Sequence, residues 1–419
     1  MKELYQIFLT SNGVQTDTRK IIDGQLFYAL SGGENFDGNT YVEQALSKGA
    51  IHAVSSDLKW ENDSRVTVVK DTLKNLQQLA TYHRKKINIP ILALTGSNGK
   101  TTTKELIISV LRQQFNVKGT AGNLNNHIGV PLTLLSFNES TDIGIVEMGA
   151  NHLKEIETLS NITLPDYGLI TNYGKAHLEG FGSEENIRIG KSELFEHLRK
   201  HSKTAIVGHW DKEQLKRSKG IERFLTSSDS KLIKAEPYIS LEFEGKQCDT
   251  QLVGEYNYHN MLLAAAVGQI FIMSTTNIIK GLAQYTPNNN RSQIIQKGKL
   301  KIILDAYNAN PSSMVVALKN LSKQSERKKI AILGDMFELG GTYSTTEHQN
   351  IAELTQQLQI DQTYLIGEAF SKVNCEQAQL FENLENFNKQ FNIDKTQESV
   401  LLIKGSRGMA LERILEIIE

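Results

Sequence analysis

The sequence predicts an α/β protein of three domains, and three observations lead there. Ordinary domains run to roughly 150 residues, so a chain of 419 residues holds more than one. From Ile89 onward, short apolar runs alternate with segments of helical period, the pattern of parallel strands joined by crossover helices. That alternation falls into two blocks divided by the polar run TPNNNRSQ (286–293), whose Pro and Asn residues favour irregular backbone.

Taken in order, residues 1–85 carry the strand-like pieces QLFYALSG and AIHAVSS around the helical pattern YVEQALSKG, a small N-terminal α/β domain with its boundary near Lys85. Residues 86–289 contain IPILALTG (89–96), DIGIVEMG (142–149), YGLITNYG (167–174) and TAIVG (204–208), the strands of a central parallel sheet of P-loop ATPase type. The apolar stretch from Met261 to Met273 is interrupted by Gly and Gln. It falls short of the roughly 18 apolar residues of a membrane span, so it predicts a buried helix. Residues 290–419 contain KIILDAYN (301–308), KKIAILGD (328–335), TYLIGE (363–368) and SVLLIKGS (399–406), a C-terminal Rossmann-like α/β domain. No repeat of fixed period runs through the chain, which sets solenoids aside.

Composition narrows the function. With 39% hydrophobic and 22% charged residues the chain can bury ordinary cores and is not of disordered type. Lys and Arg number 46 against 47 Asp and Glu, so the chain has no global electrostatic footprint for nucleic acid or an anionic membrane, and local phosphate sites stay open. The two cysteines, Cys248 and Cys375, fit neither a disulfide framework nor a metal knuckle. The N-terminus lacks the apolar core of a signal peptide. Both features suit a reducing cytoplasm.

The strand IPILALT runs into GSNGKTTT and then into a helical pattern with Leu106, Ile107, Val110 and Leu111 on one face. Strand, glycine loop, Lys-Thr and helix make a nucleotide P-loop. Gly96, Ser97, Asn98 and Gly99 leave backbone N–H groups free for phosphate oxygens, and the helix N-terminus with Thr102 adds partial positive charge. Lys100 would reach the β- and γ-phosphates of a nucleotide whose base the loop leaves open, and the Thr101 hydroxyl would face Mg2+. Leu94 stands where the common spacing has its first glycine, so the loop is the shorter Gly-x-x-Gly-Lys-Thr form.

Glu147 and His177 fall at or just beyond the carboxyl ends of strands in the same sheet, the side on which open α/β sheets bind ligands. A carboxylate at Glu147 either holds Mg2+ or is a solvated strand-end acid, and His177 either joins the site or satisfies a local hydrogen bond. In SEENIRIGKSELFEHLRK, Lys191 lies on the apolar stripe of Ile187, Leu194, Phe195 and Leu198. Such a lysine must find an anion, lose its charge, be modified, or snorkel to water. In DAYNANPSSM, Asn310 and Pro311 read as a helix cap and first turn, while Asp305 and Asn308 either meet a ligand or belong to the turn.

These motifs resemble the ATP-dependent Mur ligases of peptidoglycan synthesis through essentially the whole chain. The resemblance is carried by TDTRKI and GGENFDG, by TGSNGKTTTK, VEMGAN and TNYGKAHLEGFGS, and by ILGDMFELG and LIKGSRGMALE. GNLNNHIGVPLTLL and DAYNANPSSM are most similar to the branch whose amino substrate is D-alanyl-D-alanine. The resemblance implies three domains that bind, in order, a UDP-sugar-peptide, ATP and the amino substrate. It implies that a carboxylate of UDP-N-acetylmuramoyl-tripeptide is phosphorylated by ATP and then captured by the dipeptide amine. It further implies two Mg2+ ions and a cytoplasmic monomer.

Residue by residue, the resemblance makes Asp17, Thr18, Arg19, Asn35 and Phe36 the UDP-binding segments. Lys100, Thr101, Glu147 and His177 become the phosphate and magnesium set, and Lys191 the family's carbamylated lysine, an oxygen donor to the second Mg2+. Asn123, Asn125, Asn126 and His127 line the active cleft, the last two beside the chemistry. Asn257 and Asn260 lie by the adenine, Arg291 by the γ-phosphate, and Asp305, Tyr307 and Asn308 reach the nucleotide from the third domain. Lys404, Ser406 and Arg407 grip the dipeptide carboxylate. Tyr256 stands where many members have His, and Asn290 where Gly usually precedes the arginine. The rival readings are another ligase of this fold, such as folylpolyglutamate synthase or the ligase that adds the third peptide residue, and a P-loop switch ATPase.

Overall fold

The computed structural model describes residues 1–32, 36–287 and 290–418. Asn35, read above as part of a UDP-binding segment, lies outside them, as do Asn288 and Asn289 of the second boundary. Among the described residues the chain forms four sheets.

The first sheet pairs Val14–Gln15, Leu26–Tyr28, His52–Ser55 and Val66–Val68 in parallel and in chain order. Its connections are tight because Asp17, Asp37 and Asp57 each cap a short 3-10 turn, accepting the N–H two residues on. The helix Thr72–Lys86 follows, capped by Asp71, and packs against the helices Gly129–Leu135 and Glu155–Thr163 of the next sheet. The division at residue 85 thus falls in the last turn of a helix that clamps the two sheets together.

The central sheet holds six parallel strands. Their order from one edge is Glu222–Leu225, Thr204–Val207, Tyr167–Ile170, Ile91–Thr95, Ile143–Glu147 and Val117–Gly119. Residues of Ile91–Thr95 alternate between two cores. Leu92 and Leu94 pack with the helices Lys100–Leu111 and Tyr256–Ile270, whereas Ile91 and Ala93 pack with Gly129–Leu135, Glu155–Thr163 and Glu184–Lys200. Later strands add on either side of Ile91–Thr95, so the crossovers diverge at its carboxyl end and leave a crevice there. The stretch read as a buried helix is the end of Tyr256–Ile270, and no helix among the described residues is long and apolar enough to cross a membrane.

A three-stranded antiparallel sheet, Ser230–Lys234, Ser240–Phe243 and Lys246–Asp249, has no counterpart in the sequence reading. Its strands are short and charged on the open face; Ile239, Leu241, Phe243 and Cys248 enter the core, with Leu232 at its edge, against the helix Thr275–Gln284. So thin an apolar signal does not stand out from loop.

The last sheet orders Gln293–Lys297, Leu300–Asp305, Ser399–Lys404, Lys328–Gly334, Gln362–Ile366 and Ala378–Phe381. All neighbours are parallel except the first pair, a hairpin turned at Gly298 with φ +60°. Asn310 caps the helix Pro311–Ser322 in a capping box with Ser313. The carboxyl ends of this sheet face those of the central sheet across direct bonds. Asn310 Nδ2 donates to Asn98 Oδ1 at 2.7 Å, the Lys175 N–H to Ser312 Oγ at 2.7 Å, and the Glu179 N–H to the Glu338 carbonyl at 3.1 Å. Lys175 and Glu347 add an ion pair at 2.9 Å.

At the opposite end of the central sheet, Asp166 pairs with Arg84 and Lys203, each at 2.7 Å, and also accepts the Ile91 N–H at 3.0 Å. Arg84 further donates to the carbonyls of Thr163, Leu164 and Ile89, which fastens the helix Thr72–Lys86 to the sheet base. Removing one partner of so enclosed a pair leaves a charge uncompensated. Asp166→Ala is therefore expected to lower stability by about 3 kcal/mol in urea unfolding; an unshifted transition would show that the carbonyls alone hold Arg84.

Candidate active site

The phosphate loop is built by two glycines. Gly96 has φ +141° and Gly99 φ +75°, conformations that L side chains rarely adopt, and a Cβ on Gly99 would stand 2.9 Å from the Asn260 amide. The helix Lys100–Leu111 starts at once, so its free N–H groups open on the loop. The Lys100 ammonium rests on the carbonyls of Gly96 at 2.7 Å and Ser97 at 3.2 Å. Burial lowers its pKa, with the Glu147 charge acting in the opposite sense.

Glu147 ends a fully buried strand and is itself 2% exposed. Its Oε2 accepts the Thr101 hydroxyl at 2.9 Å and its Oε1 the Asn125 amide at 2.8 Å, while its own N–H donates to Thr120 Oγ1 at 2.9 Å. Behind it, Lys104 is fully buried with its ammonium 2.6 Å from the Thr120 carbonyl, 3.0 Å from Glu105 and 3.9 Å from Glu147. The sequence reading missed Lys104, although it lies three, four and seven residues before Ile107, Ile108 and Leu111, the same lysine-on-an-apolar-stripe signal that singled out Lys191.

Lys191 has no solvent exposure, so snorkelling does not describe it. Its amine donates to the Ala150 carbonyl at 2.8 Å and lies 5.0 Å from the Phe181 ring centroid. Burial drives its pKa well below the usual lysine value and the Lys100 charge pushes the same way, against Glu155 and Glu193. His177 adopts φ +55° and pairs through Nδ1 with Glu338, which follows the strand Lys328–Gly334 of the last sheet. That contact holds the Glu338 carboxyl below the usual carboxylate range, helped by the Lys100 charge.

Across the cleft, Asn260 Nδ2 donates to Asn257 Oδ1, and Asn257 in turn to the Val253 carbonyl, both at 2.8 Å. Tyr256, at the position where the resemblance leads one to expect His, bonds Ser292 through its hydroxyl. The Arg291 guanidinium stacks over Tyr307 at 3.6 Å, and its buried Nε has no hydrogen-bond partner among the described residues. Asp305 accepts from Lys404 at 2.6 Å and from the Ser292 N–H at 3.2 Å, and Lys404 also reaches the Asn308 carbonyl at 3.1 Å.

These groups surround one cleft of about 930 Å³ between the central and last sheets. It is lined by Ser97 to Thr102, Asn123, Asn125, Asn126, His127, Glu147, His177, Asn257, Asn260, Arg291, Asp305, Tyr307, Asn308 and Lys404. Gly96 and Lys191 lie directly behind this wall. The Asn126 side chain caps the helix Gly129–Leu135 by accepting two N–H groups, and the His127 carbonyl accepts from Gln77.

The structure does not gather every residue of the sequence reading there. Lys404 is 2% exposed and committed to Asp305, Ser406 accepts the Phe337 N–H at 2.8 Å, and Arg407 pairs with Glu412 at 2.9 Å with its guanidinium 5.9 Å from the Tyr307 ring centroid. The three do not converge as one carboxylate grip in this arrangement. Asp17, Thr18, Arg19 and Phe36 stand apart on the first sheet. Asp17 forms a paired contact with Arg19 that holds its carboxyl down to about 2, Thr18 donates to Gln44, and exposed Phe36 stacks on Tyr41.

Comparison with known proteins bears on this geometry. Residues 94–268 match the Mur ligase middle domain, and residues 290–407 match the Mur ligase, glutamate ligase domain. The chain is 33% identical to the UDP-N-acetylmuramoyl-tripeptide–D-alanyl-D-alanine ligase of Bacillus subtilis, over 97% of this chain and 92% of that one. It is 37% identical to the Synechocystis protein of the same name, over 85% and 79%. Among solved structures it superposes on MurF from Acinetobacter baumannii with a TM-score of 0.87 and 29% identity, covering 100% of this chain and 98% of that one. MurF ligase from Thermotoga maritima in complex with ADP gives 0.85 and 25%, over 98% and 97%. The chain belongs to the Mur ligase family, in the group of its UDP-N-acetylmuramoyl-tripeptide–D-alanyl-D-alanine ligases.

Proposed function

We infer that this cleft joins D-alanyl-D-alanine to UDP-N-acetylmuramoyl-tripeptide with ATP, giving ADP, phosphate and UDP-N-acetylmuramoyl-pentapeptide. One observation carries the reading: a phosphate loop whose Thr101 and Glu147 stand 2.9 Å apart opens into a cleft shared with a second sheet. The first sheet, with Asp17, Thr18, Arg19 and Phe36, is assigned to the UDP moiety, the central sheet to ATP and the last to the dipeptide. Such a reaction belongs in the cytoplasm, where ATP is.

A carboxylate does not react with an amine in water, because its leaving group would be oxide. Phosphorylation removes this obstacle: a carboxylate oxygen of the tripeptide attacks the γ-phosphorus, ADP leaves, and an acyl phosphate forms. The dipeptide amine then adds to the acyl carbon and phosphate departs with the shared oxygen. Lys100, released from the Gly96 and Ser97 carbonyls, neutralises the phosphoryl oxygens, while Arg291 approaches from the opposite wall. Asn98, bonded to Asn310, keeps the two sheets closed so that the acyl phosphate meets the amine before water.

The donor set fits Mg2+. The Thr101 hydroxyl and the Glu147 carboxylate are hard oxygen donors, and Mg2+ is commonly held by one or two such groups together with phosphate oxygens and water. Among the described residues no three His, Cys, Asp or Glu side chains cluster as a metal cage, in keeping with a site shared with phosphate. His177 and Lys191 are assigned to a second Mg2+. An ammonium cannot be a ligand, but the burial that favours a neutral Lys191 amine also favours its addition to CO2, and the carbamate supplies an oxygen. Bound there, the two ions would offset the charge of the phosphates.

Phosphate release should require ATP, UDP-N-acetylmuramoyl-tripeptide and D-alanyl-D-alanine together; release with glutamate in place of the dipeptide would contradict the assignment. Glu147→Ala should lower kcat roughly a hundredfold or more, and near-normal turnover would remove Glu147 from the site. Lys191→Ala should be inactive. Enzyme stored in acid should recover activity with bicarbonate and, with carbon-13 bicarbonate, show a carbamate resonance that the alanine variant lacks.

A further inference from the structure

The motif ILGDMFELG resembles the family, yet none of its residues has a part in the chemistry described so far. It forms the loop that leaves the strand Lys328–Gly334 and enters the cleft, where Phe337 and Glu338 both line the wall. The loop is pinned at four points. Asp335 accepts the N–H groups of Ala369 and Phe370 at 2.9 Å, the Met336 N–H donates to His348 Nε2 at 2.9 Å, the Phe337 N–H donates to Ser406 at 2.8 Å, and the Glu338 carbonyl accepts from Glu179 at 3.1 Å. This holding forces Glu338 to φ +62°, a left-handed backbone that costs a glutamate on the order of 1 kcal/mol or more. Strain of this kind is retained where the surroundings over-determine a side chain's position.

We propose that Phe337 and Glu338 form the subsite for D-alanyl-D-alanine, Glu338 binding the ammonium and Phe337 the small apolar side chains. The proposal rests on the ligase reading above and deepens it. The incoming dipeptide brings a cation into a cleft whose Lys100 and Arg291 are arranged for anions, so it needs a carboxylate to meet it. Among the described residues four carboxylates line the cleft, those of Glu147, Glu155, Asp305 and Glu338. Glu147 is enclosed by Thr101 and Asn125, Glu155 accepts the N–H groups of Asn151 and His152, and Asp305 is bound to Lys404. Glu338 pairs with His177 alone among side chains near the phosphate loop, and half of its side chain stays open. Through His177 and the Lys100 charge Glu338 belongs to the phosphate-loop side of the cleft, and its carboxylate can take the proton that a bound ammonium must lose before it adds to the acyl carbon.

Phe337 supplies the second half of the argument. It is a large apolar side chain, 45% exposed, inside a polar cleft, where open water gains nothing from it. The ring lies over Gly408, at which a Cβ would come within 2.7 Å of it, and half-exposed Val316 lines the same cleft. A peptide of two alanines has small methyl groups that such a surface fits.

The test uses the full chain with ATP, Mg2+ and UDP-N-acetylmuramoyl-tripeptide. It compares D-alanyl-D-alanine as substrate with propionyl-D-alanine, the same molecule lacking its amino group, as competitor. Glu338→Gln should raise KM for the dipeptide about tenfold or more, leaving KM for ATP and inhibition by propionyl-D-alanine within about twofold. Phe337→Ala should weaken dipeptide and competitor by a similar factor, and Glu338→Asp should recover part of the dipeptide affinity. An unchanged dipeptide KM in Glu338→Gln, an equal rise in KM for ATP, or equal weakening of propionyl-D-alanine would overturn the subsite. Wild-type enzyme that releases no phosphate with the dipeptide would instead overturn the ligase reading.

Discussion

A carboxylate that is 2% exposed is the constraint around which the centre of this protein is arranged. An unpaired buried charge is expensive, and Glu147 is satisfied from every side: Thr101 and Asn125 donate to its oxygens, Thr120 receives its N–H, and the Lys104 ammonium lies 3.9 Å behind. The four partners come from three separate segments. Thr101 and Lys104 ride on the phosphate-loop helix, Asn125 on the asparagine-rich segment, and Thr120 just past the edge strand Val117–Gly119. Folding the central sheet therefore assembles the nucleotide-facing wall as one unit.

The second wall arrives by the same geometry in a separate sheet. Parallel strands place their following loops at one end, and here the two carboxyl ends meet, so Asn310, Glu338 and Lys404 face Asn98, His177 and Lys100 over one cleft. One apolar cluster holds residues of both sheets, Ile91 and Phe181 with Leu333 and Leu402 among them, and across the cleft the loops are joined by hydrogen bonds. Such contacts are individually modest and can part and re-form, as a reaction requires when three substrates enter and two products leave.

What could be read from the sequence follows from how local each signal is. The phosphate loop, the strands of the two large sheets, the cap at Asn310 and the burial of Lys191 all depend on neighbours within a few residues. The charge pair of Asp305 and Lys404 does not. It exists because sheet register sets residue 305 beside residue 404, and no local pattern encodes register. That pairing also explains why Lys404 looks like a free cation in sequence and is not one in the fold. The role of Glu338 was hidden for the same reason, since its partner His177 lies on another sheet. The antiparallel sheet around Leu241 escaped notice because only one face of short strands is apolar.

The account's central claim is that the cleft activates a carboxylate by moving phosphate onto it. Labelling the terminal carboxylate of UDP-N-acetylmuramoyl-tripeptide with oxygen-18 and turning the enzyme over with ATP and D-alanyl-D-alanine tests this directly. The account predicts that one labelled oxygen appears in the released inorganic phosphate. Phosphate free of label, or label carried into an adenine nucleotide, would contradict it.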